Sequence, residues 1–270
     1  MKIWKNTLTL DGYDEGLIFT EEKKIADIAF IGSKPIDLIN FPNLKGIFRA
    51  GIGKDNVPEK EAEKRGIIVR YPSDETIKII FDETATFTCS LIFRMFYGKV
   101  GTIDPWLKFQ RSAMSSSTLL VIGNGNIGSR VISRMEPFIQ VISFDLLGNK
   151  LSELPDLIKQ ADIVSLHVPK TNENEGFINS EMLSFMKNGA ILINTARGSI
   201  VDEESLFFEI NSGRLRAAFD VFWKEPYDGK LSKFDSNQFF MTPHVASSSK
   251  DFLNGCREGL DQLILELEND

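Results

Sequence analysis

Leu119-Leu120-Val121-Ile122-Gly123-Asn124-Gly125-Asn126-Ile127-Gly128 is an apolar strand that runs straight into a glycine-punctuated turn and opens a helix at about 127–135. Glycine-rich turns are common, but one placed between a buried strand and a helix is specific for a dinucleotide, because a diphosphate rests on the N–H groups of the helix start. Gly123 permits the tight turn, Gly125 removes a side chain so that the backbone can approach the diphosphate, and Gly128 lets helix and strand pack closely. Asn126 and Ile127 complete the loop and are expected at the cofactor with the glycines. The next strand ends at Asp145, near the spacing at which a carboxylate binds the ribose 2′-hydroxyl. An acid there, followed by Leu146-Leu147-Gly148 rather than arginine, would repel a 2′-phosphate. The expected cofactor is NAD rather than NADP.

Outward from this turn, apolar runs at 119–122, 141–144, 163–168, 191–194, 217–221 and 239–242 are nearly continuous. Strands buried on both faces read this way. With helical stretches between them they predict a Rossmann-type, doubly wound parallel sheet. Earlier in the chain, short apolar runs at 28–31, 47–50 and 67–69 alternate with polar, helix-like stretches, which predicts a separate α/β unit. Residues 81–97 read as a long helix with Asp82 and Glu83 in its first turn and Gly98 as its stop. Phe87, Leu91 and Met95 fall on one face of it and Ile92 and Phe96 on another, so a second subunit or burial between domains must cover it from more than one side. Gly101, Asp104-Pro105 and Ser115-Ser116-Ser117 mark a connection, and 249–268 is an amphipathic helix with Phe252, Cys256, Leu260 and Leu263 at helical spacing. The expected division is 1–80 plus 248–270 for one domain and 81–247 for the dinucleotide domain.

Composition narrows the function classes. The chain has 270 residues, 42% of them hydrophobic, and a formal net charge of -7. An acidic balance without clustered lysine and arginine argues against a nucleic-acid partner. The sequence has no run of about 18 apolar residues and no signal-peptide pattern after Met1, so no membrane association is expected. Cys89 and Cys256 stand apart without metal-ligand neighbours, which predicts no disulfide, no metal site and a reducing, cytoplasmic location.

In open α/β sheets chemistry gathers beyond the carboxyl ends of the strands. Three strands here deliver ionisable groups to that rim: Ile193-Asn194-Thr195-Ala196-Arg197-Gly198, Phe219-Asp220-Val221-Phe222 with Glu225-Pro226, and Thr242-Pro243-His244. In order and spacing these motifs resemble those of the D-isomer-specific 2-hydroxy acid dehydrogenases. Arg49-Ala50-Gly51-Ile52-Gly53-Lys54-Asp55-Asn56 is similar to the loop by which that family meets the substrate carboxylate, so the resemblance covers roughly 26–265.

The resemblance implies two domains, one flavodoxin-like for the substrate and one Rossmann-like for NAD, with a cleft between, and a homodimer built largely through the cofactor domain. It implies hydride transfer between NAD(H) and a small 2-oxo or D-2-hydroxy acid such as glyoxylate, hydroxypyruvate, pyruvate or phosphohydroxypyruvate. Arg197 would hold the substrate carboxylate and polarise its carbonyl, His244 would be the general acid, and Glu225 would hydrogen-bond the imidazole. Thr195 would bind the cofactor, Asp220 would orient its nicotinamide carboxamide, and Arg49, Ala50, Gly51 and Ile52 would meet the substrate. Glu225 beside His244 argues against a formate dehydrogenase. Against the family pattern, the segment before Ile28 and the connection from Trp106 to Leu119 are short. His167 is expected to be structural and Lys34 a solvated lysine. The alternative of another class is an NAD(H)-sensing regulatory protein of the same fold, which would bind NADH without rapid turnover.

Overall fold

The computed structural model describes residues 1–269. Its elements run β1 Lys2–Lys5, β2 Ile18–Phe19, β3 Ile28–Ile31, β4 Gly46–Arg49, α1 Glu59–Lys64, β5 Ile68–Arg70 and α2 Asp74–Phe96. A small hairpin follows, β6 Gly101–Thr102 and β7 Leu107–Lys108, and then β8 Thr118–Ile122, α3 Gly128–Met135, β9 Gln140–Phe144, α4 Leu154–Gln160 and β10 Ile163–Leu166. The chain ends with α5 Ser180–Ser184, β11 Ile191–Asn194, α6 Glu203–Asn211, β12 Arg216–Phe219, β13 Phe239–Met241 and α7 Lys250–Asn269. Two compact units result, one of Met1–Ile80 with the stretch from Ser247 and the other of Phe81–Ala246.

The first unit is a parallel sheet of order β2-β1-β3-β4-β5. That is the flavodoxin-like order 2-1-3-4-5. Period-two alternation splits β3 between two cores: Ile28 and Phe30 join Phe48 and the Phe252, Cys256, Leu260 and Leu263 stripe of α7, while Ala29 and Ile31 join Ile47, Leu38 and Phe41. The α7 helix lies close on this sheet because glycine faces it at the contacts. A Cβ on Gly259 would sit 2.6 Å from the buried Phe48 ring, and one on Gly46 3.2 Å from Leu263.

The second unit is a parallel sheet of order β13-β12-β11-β10-β8-β9. Leu120, Ile122, Val164, Leu166, Leu192 and Phe219 face one core, and Leu119, Val121, Ile163, Ile191, Ile193 and Ala218 the other, so helices cover both faces. From β8 the chain steps out to β9 on one side and returns to β10 on the other. The strand order therefore reverses between β8 and β10, where such folds bind their ligands.

The fold corrects several boundaries. The long helix starts at Asp74, not near residue 81. Ser73 accepts the Thr76 N–H through its hydroxyl, and Asp74 and Glu75 are the acids that complement the dipole. Asp82, which imitates a first-turn acid, instead pairs with Arg130 and Arg134 of α3. Between β3 and β4 no α-helix forms, only the turn Leu38–Asn40. The strands β1 and β2 lie in the segment read as abbreviated.

Candidate active site

At the reversal point the glycine turn is shaped by its neighbours. Gly123 has φ 100°, and a Cβ there would lie 2.6 Å from the carbonyl oxygen of His167 at the end of β10. A Cβ on Gly128 would collide with the carbonyl oxygen of Gly123. Both glycines are therefore demanded by backbone packing. Gly125 differs: a Cβ there would meet no protein atom within 4 Å. Its missing side chain serves nothing inside the protein, which fits close approach by a diphosphate. Asn126 is exposed on the same loop, and Ile127 is half-buried at the start of α3.

Asp145 follows β9, and its carboxylate accepts the N–H of Asn124 at 2.8 Å and of Leu147 at 2.9 Å. These donors hold its carboxyl below the usual range, so it is anionic beside the turn. The residues present fit a dinucleotide with a free ribose hydroxyl. His167 hydrogen-bonds Ser165 Oγ through Nε2 at 2.8 Å, and burial pushes it down to about 3, so the ring is neutral at physiological pH.

Adjacent strands β11, β12 and β13 carry the other groups. After β11 the buried Asn194 clamps the turn, accepting the Ala196 N–H at 3.0 Å and donating to the Arg197 carbonyl at 2.9 Å. Arg197 is half-buried, with Nη1 2.7 Å from the Ala196 carbonyl. A Cβ on Gly198 would lie 2.5 Å from the Trp223 nitrogen, so the Arg197 turn and the turn leading to Glu225 touch backbone to backbone.

Beyond β13, His244 has φ 55°, a left-handed conformation uncommon outside glycine. Asp220, fully buried after β12, holds it there. Its carboxylate accepts the Thr242 hydroxyl at 2.6 Å and the N–H groups of Val245 and Ala246 at 2.9 Å each, bracketing the histidine. Burial raises the Asp220 carboxyl above its ordinary value, against the pull of those donors. The His244 ring meets Glu225 through Nδ1, at 3.0 Å from Oε1 and 2.9 Å from Oε2. Glu225 Oε1 also accepts the Phe222 N–H at 3.1 Å. With Nδ1–H committed to the carboxylate, Nε2 is the ring nitrogen left to exchange a proton.

In the first unit, Arg49 is buried and turned inward on its own loop. Its Nε donates to the Gly53 carbonyl at 3.1 Å and to Asn56 Oδ1 at 3.1 Å, and its Nη1 to the Ala50 carbonyl. Asn56 in turn donates to the Gly32 carbonyl at 2.7 Å. The guanidinium thus braces the turn of Ala50, Gly51 and Ile52, and Lys34 nearby is exposed. Sequence reasoning did not single out Asn56, Asn194 or Thr242 for these structural roles.

Residues 101–246 match the family model for the NAD binding domain of D-isomer specific 2-hydroxyacid dehydrogenases. The D-3-phosphoglycerate dehydrogenase of Archaeoglobus fulgidus is 34% identical over 77% of this chain, which spans only 42% of that protein's length. The hydroxypyruvate reductase of Thermotoga maritima is 32% identical over 77% of this chain and 72% of its own. Among solved structures, the D-lactate dehydrogenase of Aquifex aeolicus, complexed with NAD and lactic acid, superposes with TM-score 0.79 at 25% identity, over 100% of this chain and 96% of that one. The match to more than half of the chain, and relatives above 30% identity, place it: the chain belongs to the D-isomer specific 2-hydroxyacid dehydrogenase family.

Proposed function

We propose that the protein interconverts a small 2-oxo acid and its D-2-hydroxy acid with NAD(H). The observation that carries this reading is the His244–Glu225 pair, held by Asp220 on the strand end next to the one that bears Arg197. NADH, when bound, supplies the hydride that the carbonyl carbon receives. Gly123, Gly125, Asn126, Ile127 and Gly128 take the diphosphate, Asp145 the ribose, and Thr195 and Asp220 the nicotinamide end. Arg197 holds the substrate carboxylate with its planar fork and draws charge from the carbonyl oxygen. As that oxygen gains charge, His244 Nε2 gives it a proton while Glu225 stabilises the imidazolium through Nδ1. Hydride on carbon and proton on oxygen together make the hydroxy acid, and the reverse reaction returns both. The turn of Arg49, Ala50, Gly51 and Ile52 is assigned to substrate contact, with the Arg49 guanidinium as its internal brace.

The substrate class rests on the names of the relatives, which include reductases and dehydrogenases of hydroxypyruvate and phosphoglycerate. Those names lend the NADH-sensing alternative no support. The test is NADH oxidation against glyoxylate, hydroxypyruvate, pyruvate and phosphohydroxypyruvate, with NADPH in parallel. Turnover on at least one acid is expected, with NADPH used at least about tenfold less efficiently because Asp145 repels a 2′-phosphate. NADH binding without turnover on any of the four would sink the enzyme reading in favour of a sensor.

The protein is further assigned as a homodimer. Every residue from 99 to 113 is exposed, and the hairpin there presents Ile103 at 79%, Trp106 at 74% and Leu107 at 52% exposure. An apolar cluster of this kind on a folded surface marks an interface, and a second copy offers the same patch through a two-fold axis. Trp106→Asp is expected to turn a dimer into a monomer in sedimentation velocity; an unchanged sedimentation coefficient would remove the hairpin from the interface. A reducing, cytoplasmic setting accords with Cys89 and Cys256, both buried as free thiols. Among the described residues no helix is long and apolar enough to cross a membrane.

A further inference from the structure

On α2, Ala85, Cys89, Leu91, Ile92 and Met95 are buried in an apolar cluster, yet Thr88 among them is a fully buried hydroxyl. Its side chain makes two bonds. The hydroxyl donates to the Thr84 carbonyl at 2.7 Å, one turn back, and lies 2.8 Å from the Thr195 hydroxyl. A threonine has one hydroxyl hydrogen, and a carbonyl can only accept. The hydrogen of Thr88 is therefore committed to Thr84, and the bond to Thr195 has one polarity: Thr195 donates and Thr88 accepts. That leaves the Thr195 hydroxyl with lone pairs alone for anything else it meets.

Thr195 stands where this matters. It follows β11 directly, between the Asn194 clamp and Arg197, and is 8% exposed, so little water reaches it. Asp220 sits after the next strand and donates its own N–H to the Asn194 carbonyl at 3.0 Å. Its carboxylate is also an acceptor. Two acceptors at neighbouring strand ends favour a ligand that presents N–H groups.

We propose that Thr88 is a positioning residue which fixes the Thr195 hydroxyl as an acceptor at this end of the cofactor site, so that it favours a carboxamide over the corresponding carboxylate. The proposal rests on the assignment of NAD to the site and adds the device by which its amide is distinguished from an acid.

The test compares dissociation constants of NAD and its deamidated analogue, nicotinic acid adenine dinucleotide, by titration calorimetry on the wild type, Thr88→Val and Thr88→Ser. The wild type is expected to prefer NAD. In Thr88→Val the Thr195 hydroxyl loses its acceptor and can turn to donate to the carboxylate, so the preference falls by up to about tenfold, the size of one hydrogen bond. Thr88→Ser keeps the relay and the preference. Thr195→Val removes the hydroxyl altogether, lowers the same preference and supplies the reading if Thr88→Val does not fold. A purely structural role for Thr88 would weaken both dinucleotides equally; an unchanged ratio with NAD still bound overturns the relay and leaves the cofactor assignment standing. A wild type that binds neither dinucleotide overturns the assignment and the relay with it.

Discussion

His244→Ala is expected to lower kcat for 2-oxo acid reduction by about 10²–10⁴-fold, the usual span for a lost general acid, with NADH affinity nearly intact. The physical case begins at the backbone. A non-glycine residue at φ 55° persists only where its surroundings over-determine it, and here Asp220 grips the residues on both sides of the histidine. The ring is then fixed by Glu225 at 2.9 Å from Nδ1, which sets the tautomer and leaves Nε2 for the proposed proton transfer. Removing the imidazole takes away the proposed proton donor without touching the glycine turn or Asp145. Steady-state kinetics with a parallel NADH titration separates the two effects. Turnover at the wild-type rate would refute the assignment, and a large loss of NADH affinity would show that the variant had disturbed the cofactor domain. Glu225→Gln retains a hydrogen-bonding partner but not the charge, so its loss of kcat is expected to be smaller than that of His244→Ala.

Much of this site was legible because its elements are local in sequence. The turn 123–128 is one strand-turn-helix unit, and each glycine position has a distinct physical demand that can be read without tertiary knowledge. Even there the structure sharpens the reading: Gly123 and Gly128 are required by contacts with His167 and with each other, and Gly125 by nothing in the protein. The start of α2 was misread because acids occur twice, at 74–75 and at 82–83, and only the tertiary pairing of Asp82 with Arg130 and Arg134 separates a dipole acid from an ion-pair acid. The first strand was hidden for another reason. In Lys2–Lys5 only Ile3 is buried, and the segment becomes a strand because β3 offers it a parallel partner, with Ile3 opposite Ile28. Thr88 was invisible to any local reading. Its partner Thr195 is 107 residues away, and a threonine inside a helix reads as a neutral filler until that contact is known.

Arg197→Lys is expected to cost about 10²–10³-fold in kcat/KM for the 2-oxo acid, although the charge is retained. Lysine carries the same unit charge, so a role limited to long-range attraction predicts little change. The proposed role is different: two parallel N–H donors on a carboxylate, with the guanidinium also drawing charge from the carbonyl oxygen, which a point ammonium cannot reproduce. The surroundings of Arg197 are built for such a fixed fork. Asn194 pins the turn on both sides of Ala196, the guanidinium is anchored at 2.7 Å on the Ala196 carbonyl, and Gly198 seats the turn on the backbone of Trp223. Because the carboxylate is held before and during the reaction, KM should rise; because the carbonyl oxygen gains charge only as hydride arrives, kcat should fall as well. Arg197→Ala should show both losses more strongly. If Arg197→Lys raised KM and left kcat unchanged, Arg197 would be a substrate anchor only, and polarisation of the carbonyl would fall to His244 alone.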